Sequence, residues 1–423
     1  MPAADPAVDS AQRAPASVSA WTMLLALTTA FALSQAFRTV AAILASPLRA
    51  DFHLSAQELG AFAGAFHFSF GLMQFLMGIA IDLHGVRRTV LVVFPMAIAG
   101  AVLSALAPTF AWLIVGQVLI GIGCSPAFLV CTVFIARHFP AARFAAVSGS
   151  IMAIGGLGML LTGTPLAWLV EASSWRAGFW VLGGLAALAW CVVAAVVKKA
   201  PASVIPAPAA PRETVGQAIA RFGALFALRH TIGIVALAAV TYASFLTLRG
   251  LWIGPMLIER HGFSLLQSGN VVLIVSALSL VGPPLFGRLD PGDATRRRWL
   301  IGYTFGLAAL FLLLAFTHSA TFDVGASLVI GLLSGYMVLQ YADVRAAYPA
   351  SMTGRAMAVL TMAFFMGVAL MQWFTGVVAS VATSHGIDPY SAVLATIAVL
   401  LAAGALAFAW LPAPPQRPQP LPT

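Results

Sequence analysis

The sequence predicts an all-α membrane protein with twelve transmembrane helices in two pseudo-symmetric six-helix halves. Three observations predict it. Of the 423 residues, 61% are hydrophobic and only 8% charged, whereas a soluble domain is about one-quarter charged. The apolar runs last about 20 residues or more, long enough for a helix to cross a hydrocarbon core roughly 30 Å thick. The pattern of the first half recurs in the second. The first two observations exclude a soluble globular enzyme, a disordered chain and a fibrous repeat. A transmembrane barrel is excluded because its strands would alternate in polarity over about 10 residues.

The elements follow in order. Residues 1–20 are rich in Ala, Pro and Ser and lack a basic stretch followed by a cleavage site, so the expectation is a cytoplasmic tail without a removable signal peptide. Six spans near 21–47, 56–81, 89–107, 110–136, 144–170 and 176–197 make the N-terminal half, 21–197. Residues 198–230 form a cytoplasmic linker. It starts as the Pro/Ala-rich KKAPASVIPAPAAPRET and continues as GQAIARFGALFALRH, a basic amphipathic stretch suited to the membrane surface. Spans near 231–256, 265–287, 299–317, 321–345, 355–382 and 389–411 make the C-terminal half, 231–411. Residues 412–423 are a Pro-rich cytoplasmic tail.

Charge sets the orientation. With both termini cytoplasmic, seventeen of the 22 Lys and Arg residues fall on the cytoplasmic side. Only Arg49, Arg176 and Arg260 fall on the other side, and Arg38 and Arg249 fall inside spans. This asymmetry is the positive-inside pattern of a bacterial inner-membrane protein, and it accounts for the net charge of +9 without nucleic acid. The three cysteines all lie in apolar segments and form no CxxC, so they read as packing residues rather than metal ligands. No cofactor is expected: there is no GxxxxGK[ST], no HExxH and no nucleophile–base pair. The expected partners are membrane lipids and a small solute, with the chain a monomer.

The repeat is specific. LSAQELG (54–60) leads into span 2, and FSLLQSG (263–269) leads into span 8. About 20 residues later each half shows small residues and an acid, in GIAID (78–82) and GRLD (287–290), followed by Arg87-Arg88 and Arg296-Arg297-Arg298. Two halves of the same orientation around a central loop are a common plan of secondary transporters.

In GIAIDLHGVRR, the residues Gly78, Asp82, Gly85, Arg87 and Arg88 resemble the signature G-x-x-x-D-x-x-G-x-R-R of the major facilitator superfamily. SSWRAGF (173–179) and LIVGQVLIGIG (113–123) add to the resemblance, which covers about residues 21–411. It implies the twelve-helix fold, alternating access, and a gating role for the signature residues. Many members carry an Arg in span 4 where Gln117 stands here, so a coupling site at that position does not carry over. The span 5 glycines lack the full antiporter Gly-Pro repeat.

Ionisable residues inside a span cost roughly 2.5–3.5 kcal/mol on insertion scales and are functional candidates. Arg38 lies in span 1, nine residues before Pro47, and Arg249 lies in span 7, six before Pro255. Phe31, Gln35 and Arg38 share a helical stripe, as do Tyr242, Phe245, Arg249 and Trp252. No acid lies mid-span to pair with either arginine. The expectation is therefore two guanidiniums left open for an anion, each a fork of donors matched to carboxylate or phosphate; the competing reading is snorkelling or gating. The placement is similar to that of the organophosphate and organic-anion branch of the superfamily. His67 in span 2 is either a proton-coupling group or a neutral hydrogen-bonding residue. In span 10, Tyr336 and Gln340 are expected to line the cavity, and Asp343 to act as a cytoplasmic gate partner of Arg345 or Arg355.

Together these features predict a secondary transporter, not an enzyme, that moves a small organic anion, a carboxylate or a phosphate ester. The energy source would be a proton gradient or exchange. The rival reading is efflux of lipophilic drugs, suggested by the aromatic and Met content of span 11. A non-transporting membrane receptor or a membrane-bound enzyme is a further alternative.

Overall fold

The computed structural model describes residues 19–139, 143–197 and 223–412, without the side chains of Phe75, Asp82, Phe144, Ala145, Ala146, Ala224, Ala294, Ala350 and Ser351. The expected N-terminal tail, most of the linker, nearly all of the Pro-rich tail and the side chain of Asp82 lie outside that set.

Span 1 is α1 (Ala20–Arg38) with α2 (Ala41–Phe52). Spans 2 and 3 share α3 (Ala56–Val93), and span 3 continues into α4 (Pro95–Ala105). Span 4 is α5 (Phe110–Cys124) with α6 (Ala127–His138). Span 5 is α7 (Phe144–Gly156), α8 (Gly158–Leu161) and α9 (Thr164–Ala172); span 6 is α10 (Trp175–Val196). Span 7 is α11 (Arg229–Thr247), a π-turn at Leu248–Trp252, and α12 (Ile253–His261). Spans 8 and 9 are α13 (Leu265–Arg288) and α14 (Asp293–Phe316). Span 10 is α15 (Ala320–Leu333), a 3₁₀ turn at Ser334–Met337, and α16 (Val338–Ala347). Spans 11 and 12 are α17 (Ala350–Ser384) and α18 (Pro389–Trp410). Eleven stretches among the described residues are helical, long and apolar enough to cross a membrane. The remaining expected span is the first part of α3, ahead of Gly85.

The repeat in the sequence is a repeat in space. Ser55 caps α3 and Ser264 caps α13, each in a capping box closed by Glu58 or Gln267. After each of these spans a glycine reverses the chain at matching angles. Gly85 has φ 78° and ψ 164°, and Gly292 has φ 80° and ψ 169°, where a side chain would be strained. An arginine beyond each glycine then caps the last span of its half. Arg87 donates to Val197 O at 2.5 Å and Ala194 O at 3.0 Å at the end of α10. Arg297 donates to Leu411 O at 2.8 Å, and to Phe408 O, at the end of α18. In both cases a cation meets carbonyls that a helix end leaves without partners.

The halves meet tightly at the face opposite the chain termini, called here the distal face. Spans 2 and 11 cross there on small residues: a Cβ on Gly64 would lie 2.9 Å from Ala369 O, and one on Gly376 2.7 Å from Ala56 O. Polar bonds join the halves around this crossing. Arg49 pairs with Glu259 at 2.7 Å, Gln57 N donates to Ser380 Oγ at 2.9 Å, and Leu266 N donates to Glu171 Oε1 at 2.8 Å. The distal face is therefore the sealed one.

Candidate anion site at the helix breaks

Both intramembrane arginines stand where their helices break. α1 ends at Arg38, and Thr39 behind it leaves helical geometry at φ −122° and ψ 9°. Arg249 is the second residue of the π-turn in span 7. A break frees backbone carbonyls that bilayer lipid cannot satisfy, so such positions occur where protein groups or water can.

Arg38 is buried, with 7% of its surface exposed. Its guanidinium carbon lies 5.0 Å from the ring centre of Phe70 and 4.7 Å from that of Phe365. Nη1 donates to the Tyr242 hydroxyl at 3.0 Å, while buried Nε has no hydrogen-bond partner. No carboxylate among the described residues pairs with it. The cation is thus held by two ring faces and one phenol, from spans 2, 7 and 11, and one edge of its fork is unused. Polar groups of both halves surround it. The Arg38 charge acts on His67, Cys124 and Tyr341. Gln35 Oε1, Ser34 Oγ, His67 Nε2, Gln340 Oε1 and Gln372 Oε1 are all buried without hydrogen-bond partners. Buried polar atoms normally find partners, so an unsaturated guanidinium with His67 within reach of its charge is a site suited to a polar, negatively charged occupant.

Arg249 stands differently. It is fully buried, and each of its three nitrogens donates. Nε bonds Ser276 Oγ at 2.8 Å, Nη1 bonds Thr39 O at 3.2 Å, and Nη2 bonds Met159 O at 2.7 Å and Thr162 Oγ1 at 3.1 Å. The premise that both guanidiniums wait uncompensated is corrected for Arg249: its charge faces carbonyls at the breaks of spans 1 and 5. Backbone acceptors leave no mark in a sequence, which is why elimination of acids missed them.

The other expected residues divide. Gln35 and Tyr242 lie with Arg38. Gln340 is close by and donates to Thr241 Oγ1 at 2.7 Å. Phe31 packs on Phe128, ring centres 5.0 Å apart, between spans 1 and 4. Phe245 is buried. Trp252 and Tyr336 are buried and bonded to residues of the C-terminal half. Trp252 Nε1 donates to Thr375 Oγ1 at 3.0 Å, and the Tyr336 hydroxyl shares a 2.9 Å bond with Thr304. The π-turn in span 7 and the 3₁₀ turn in span 10 rotate the faces that follow them. His67 is buried, its Nδ1 3.1 Å from Ala63 O and Gln372 beside it. Gly78, Gly85, Arg87 and Arg88 lie at the terminus-bearing ends, with Arg88 exposed. Asp343 is half-buried, and the charges facing it include Arg296 and Arg297 of its own half.

Sequence reasoning missed Phe70, Phe365 and Gln372 as surroundings of Arg38. It also missed Asp323, a fully buried acid in the first turn of α15, bonded to His261 Nε2 at 2.7 Å and Arg260 at 3.4 Å. Gln372 carried a signal, an amide in the middle of an apolar span. The two phenylalanines carried none among 28 in the chain.

The profile of the Major Facilitator Superfamily matches residues 26–344 and 250–423. The chain belongs to this superfamily. Its members are membrane transporters and not enzymes, and the twelve-helix expectation agrees with the eleven spans and the first part of α3. The chain is 28% identical over 250 residues to the "Hexuronate transporter" of Bacillus subtilis (strain 168), a match covering 58% of each protein. It is 29% identical over 150 residues to the "Probable sulfoacetate transporter SauU" of Cupriavidus necator (strain ATCC 17699 / DSM 428 / KCTC 22496 / NCIMB 10442 / H16 / Stanier 337), covering 35% of each. The chain therefore spans about half or less of the length of these curated relatives. Among solved structures it is similar to a D-xylose–proton symporter, with a TM-score of 0.72 and 16% identity, covering 93% of this chain and 98% of that one. At that identity the likeness is one of fold.

Proposed function

We propose that this protein is a secondary transporter that carries a small organic anion across the membrane by alternating access, with Arg38 as the group that binds the anionic head. The observation that carries this reading is the state of Arg38. It is a buried cation between Phe70 and Phe365, without a carboxylate partner among the described residues, and its Nε is unused. A carboxylate presented to that edge gains charge-assisted hydrogen bonds in a dry site, where they are strongest. The unpartnered amide and hydroxyl groups around it suit the rest of a polar solute. Both curated relatives named above are described as transporters of acids that bear a carboxylate, and this favours carboxylates over phosphate esters.

On this reading the terminus-bearing face is cytoplasmic, because it carries most of the Lys and Arg. The structure is then closed toward the outside. His67 is the candidate proton-coupling group, since it is a buried imidazole within reach of the Arg38 charge and of Gln372. A proton held there would repel Arg38, so ligand and proton would be linked through one charge.

The test is uptake into proteoliposomes of labelled hexuronate, sulfoacetate and a hexose phosphate. Uptake of at least one carboxylate is expected, with loss of a hundredfold or more in Arg38→Gln while the amount of inserted protein is unchanged. Uptake by Arg38→Gln at the rate of the unmodified protein overturns the proposal.

A further inference from the structure

We infer that Arg249 is a positioning residue: it locks the distal face shut and thereby fixes the backbone that carries Arg38. This inference rests on the reading of Arg38 as the anion contact. The argument begins with the helix breaks. At the break after α1, Thr39 O accepts only a 3.3 Å bond from Ala42 N, so it keeps a lone pair for a further donor. In the broken region of span 5, Met159 O accepts Thr162 N at 3.3 Å and Thr162 Oγ1 at 3.0 Å; both carbonyls lie in the N-terminal half. Arg249 reaches both from the C-terminal half, at 3.2 and 2.7 Å, and also bonds Thr162 Oγ1 at 3.1 Å. Thr162 in turn shares a 2.7 Å bond with Thr39 Oγ1, which joins spans 1 and 5 beneath the guanidinium. A single side chain therefore closes three bonds across the seam between the halves, and its fourth bond, to Ser276, stays within its own half.

The electrostatics explain why no acid is needed. The carbonyl ends of helices carry partial negative charge, and a cation at such an end is favoured. Arg249 is thus a charge balanced only while the halves are together. When the distal face opens, the guanidinium loses its three acceptors across the seam and must be met by water, which the same opening admits. The two end states are both satisfied, and a partly opened dry seam is not. That is a two-state element. It is joined to the binding site by one covalent step, because Thr39 follows Arg38 directly. The position of the Arg38 backbone is set by the bond that holds the seam.

The exposed Arg49–Glu259 pair spans the same seam, but its side chains are 30% and 36% exposed. Such pairs are weak, typically below about 1 kcal/mol. The dry bonds of Arg249 outweigh it.

The experiment reports on the seam itself. Ala167 is fully buried, and a Cβ at Gly269 across the seam would lie 2.7 Å from its methyl group. In a Cys191→Ser background, Ala167→Cys is labelled with a membrane-impermeant maleimide in the absence of any solute. With Arg249 intact, labelling is slow. Arg249→Gln raises its rate tenfold or more, and Thr162→Val, which removes one acceptor, raises it by a smaller factor. Titration of hexuronate as the probe, by calorimetry, shows at most a fewfold weaker affinity in Arg249→Gln. Unchanged labelling in both variants overturns the inference, as does loss of hexuronate binding in Arg249→Gln with unchanged labelling, which would make Arg249 a direct ligand contact. Failure of the Arg38 reading is seen separately, as hexuronate binding that survives Arg38→Gln.

Discussion

Two arginines at equivalent places do different work because their neighbours differ by a few atoms. Arg38 meets ring faces, each worth up to about 2 kcal/mol when desolvated, and these offset an insertion cost of roughly 2.5–3.5 kcal/mol. Arg249 meets carbonyls and is bonded at each nitrogen. Both residues were visible in the sequence as charges in apolar runs, but their division of labour was not, since one set of partners is backbone and the other is two phenylalanines among many. A third arginine shows the ordinary case. Outside the spans, Asp290 receives Nε and Nη2 of Arg296 at 2.9 and 2.7 Å, and this bond holds its carboxyl below the usual carboxylate range. The group stabilises the fold above the ordinary carboxylate pKa, and that contribution is lost as pH falls through the lowered value. Thermal unfolding scanned from pH 6 downward should therefore fall more steeply in the unmodified protein than in Asp290→Asn.

Helices in this protein are informative where they stop. Spans 1, 4, 7 and 10, which hold equivalent places in the two halves, are all interrupted: at Thr39, at Ser125–Pro126, at the π-turn and at the 3₁₀ turn. Pro126 announces its break in the sequence. The π-turn has no such mark. Spans 2 and 11 are continuous where they cross, and Gly64 and Gly376 let their backbones approach. A side chain at Gly64 would meet Ala369 O, a backbone atom that cannot step aside. Gly64→Val should insert normally yet stop net uptake, because the halves can no longer close at the distal face. Labelling of Ala167→Cys should rise in it, as in Arg249→Gln. Normal uptake by Gly64→Val would show that this crossing does not need to close.

At the scale of the molecule, the two halves are one design used twice. The capping boxes at Ser55 and Ser264, the reversals at Gly85 and Gly292, and the helix-end arginines Arg87 and Arg297 repeat bond for bond. This much was legible, because caps, glycines and charges are written in residue types at fixed offsets. Which face is sealed was not legible. It depends on a few kcal/mol of bonding between halves that any sequence pattern leaves open. The sealed face and the unsaturated cation behind it are the two conditions for moving an anion without a leak. The most direct test is the shift in thermal stability that hexuronate produces on purified protein at a hundredfold excess over its dissociation constant, where a bound ligand stabilises by about 2.7 kcal/mol. The account predicts a clear upward shift in the unmodified protein, a reduced one in Arg38→Lys and none in Arg38→Gln. An equal shift in Arg38→Gln would contradict it.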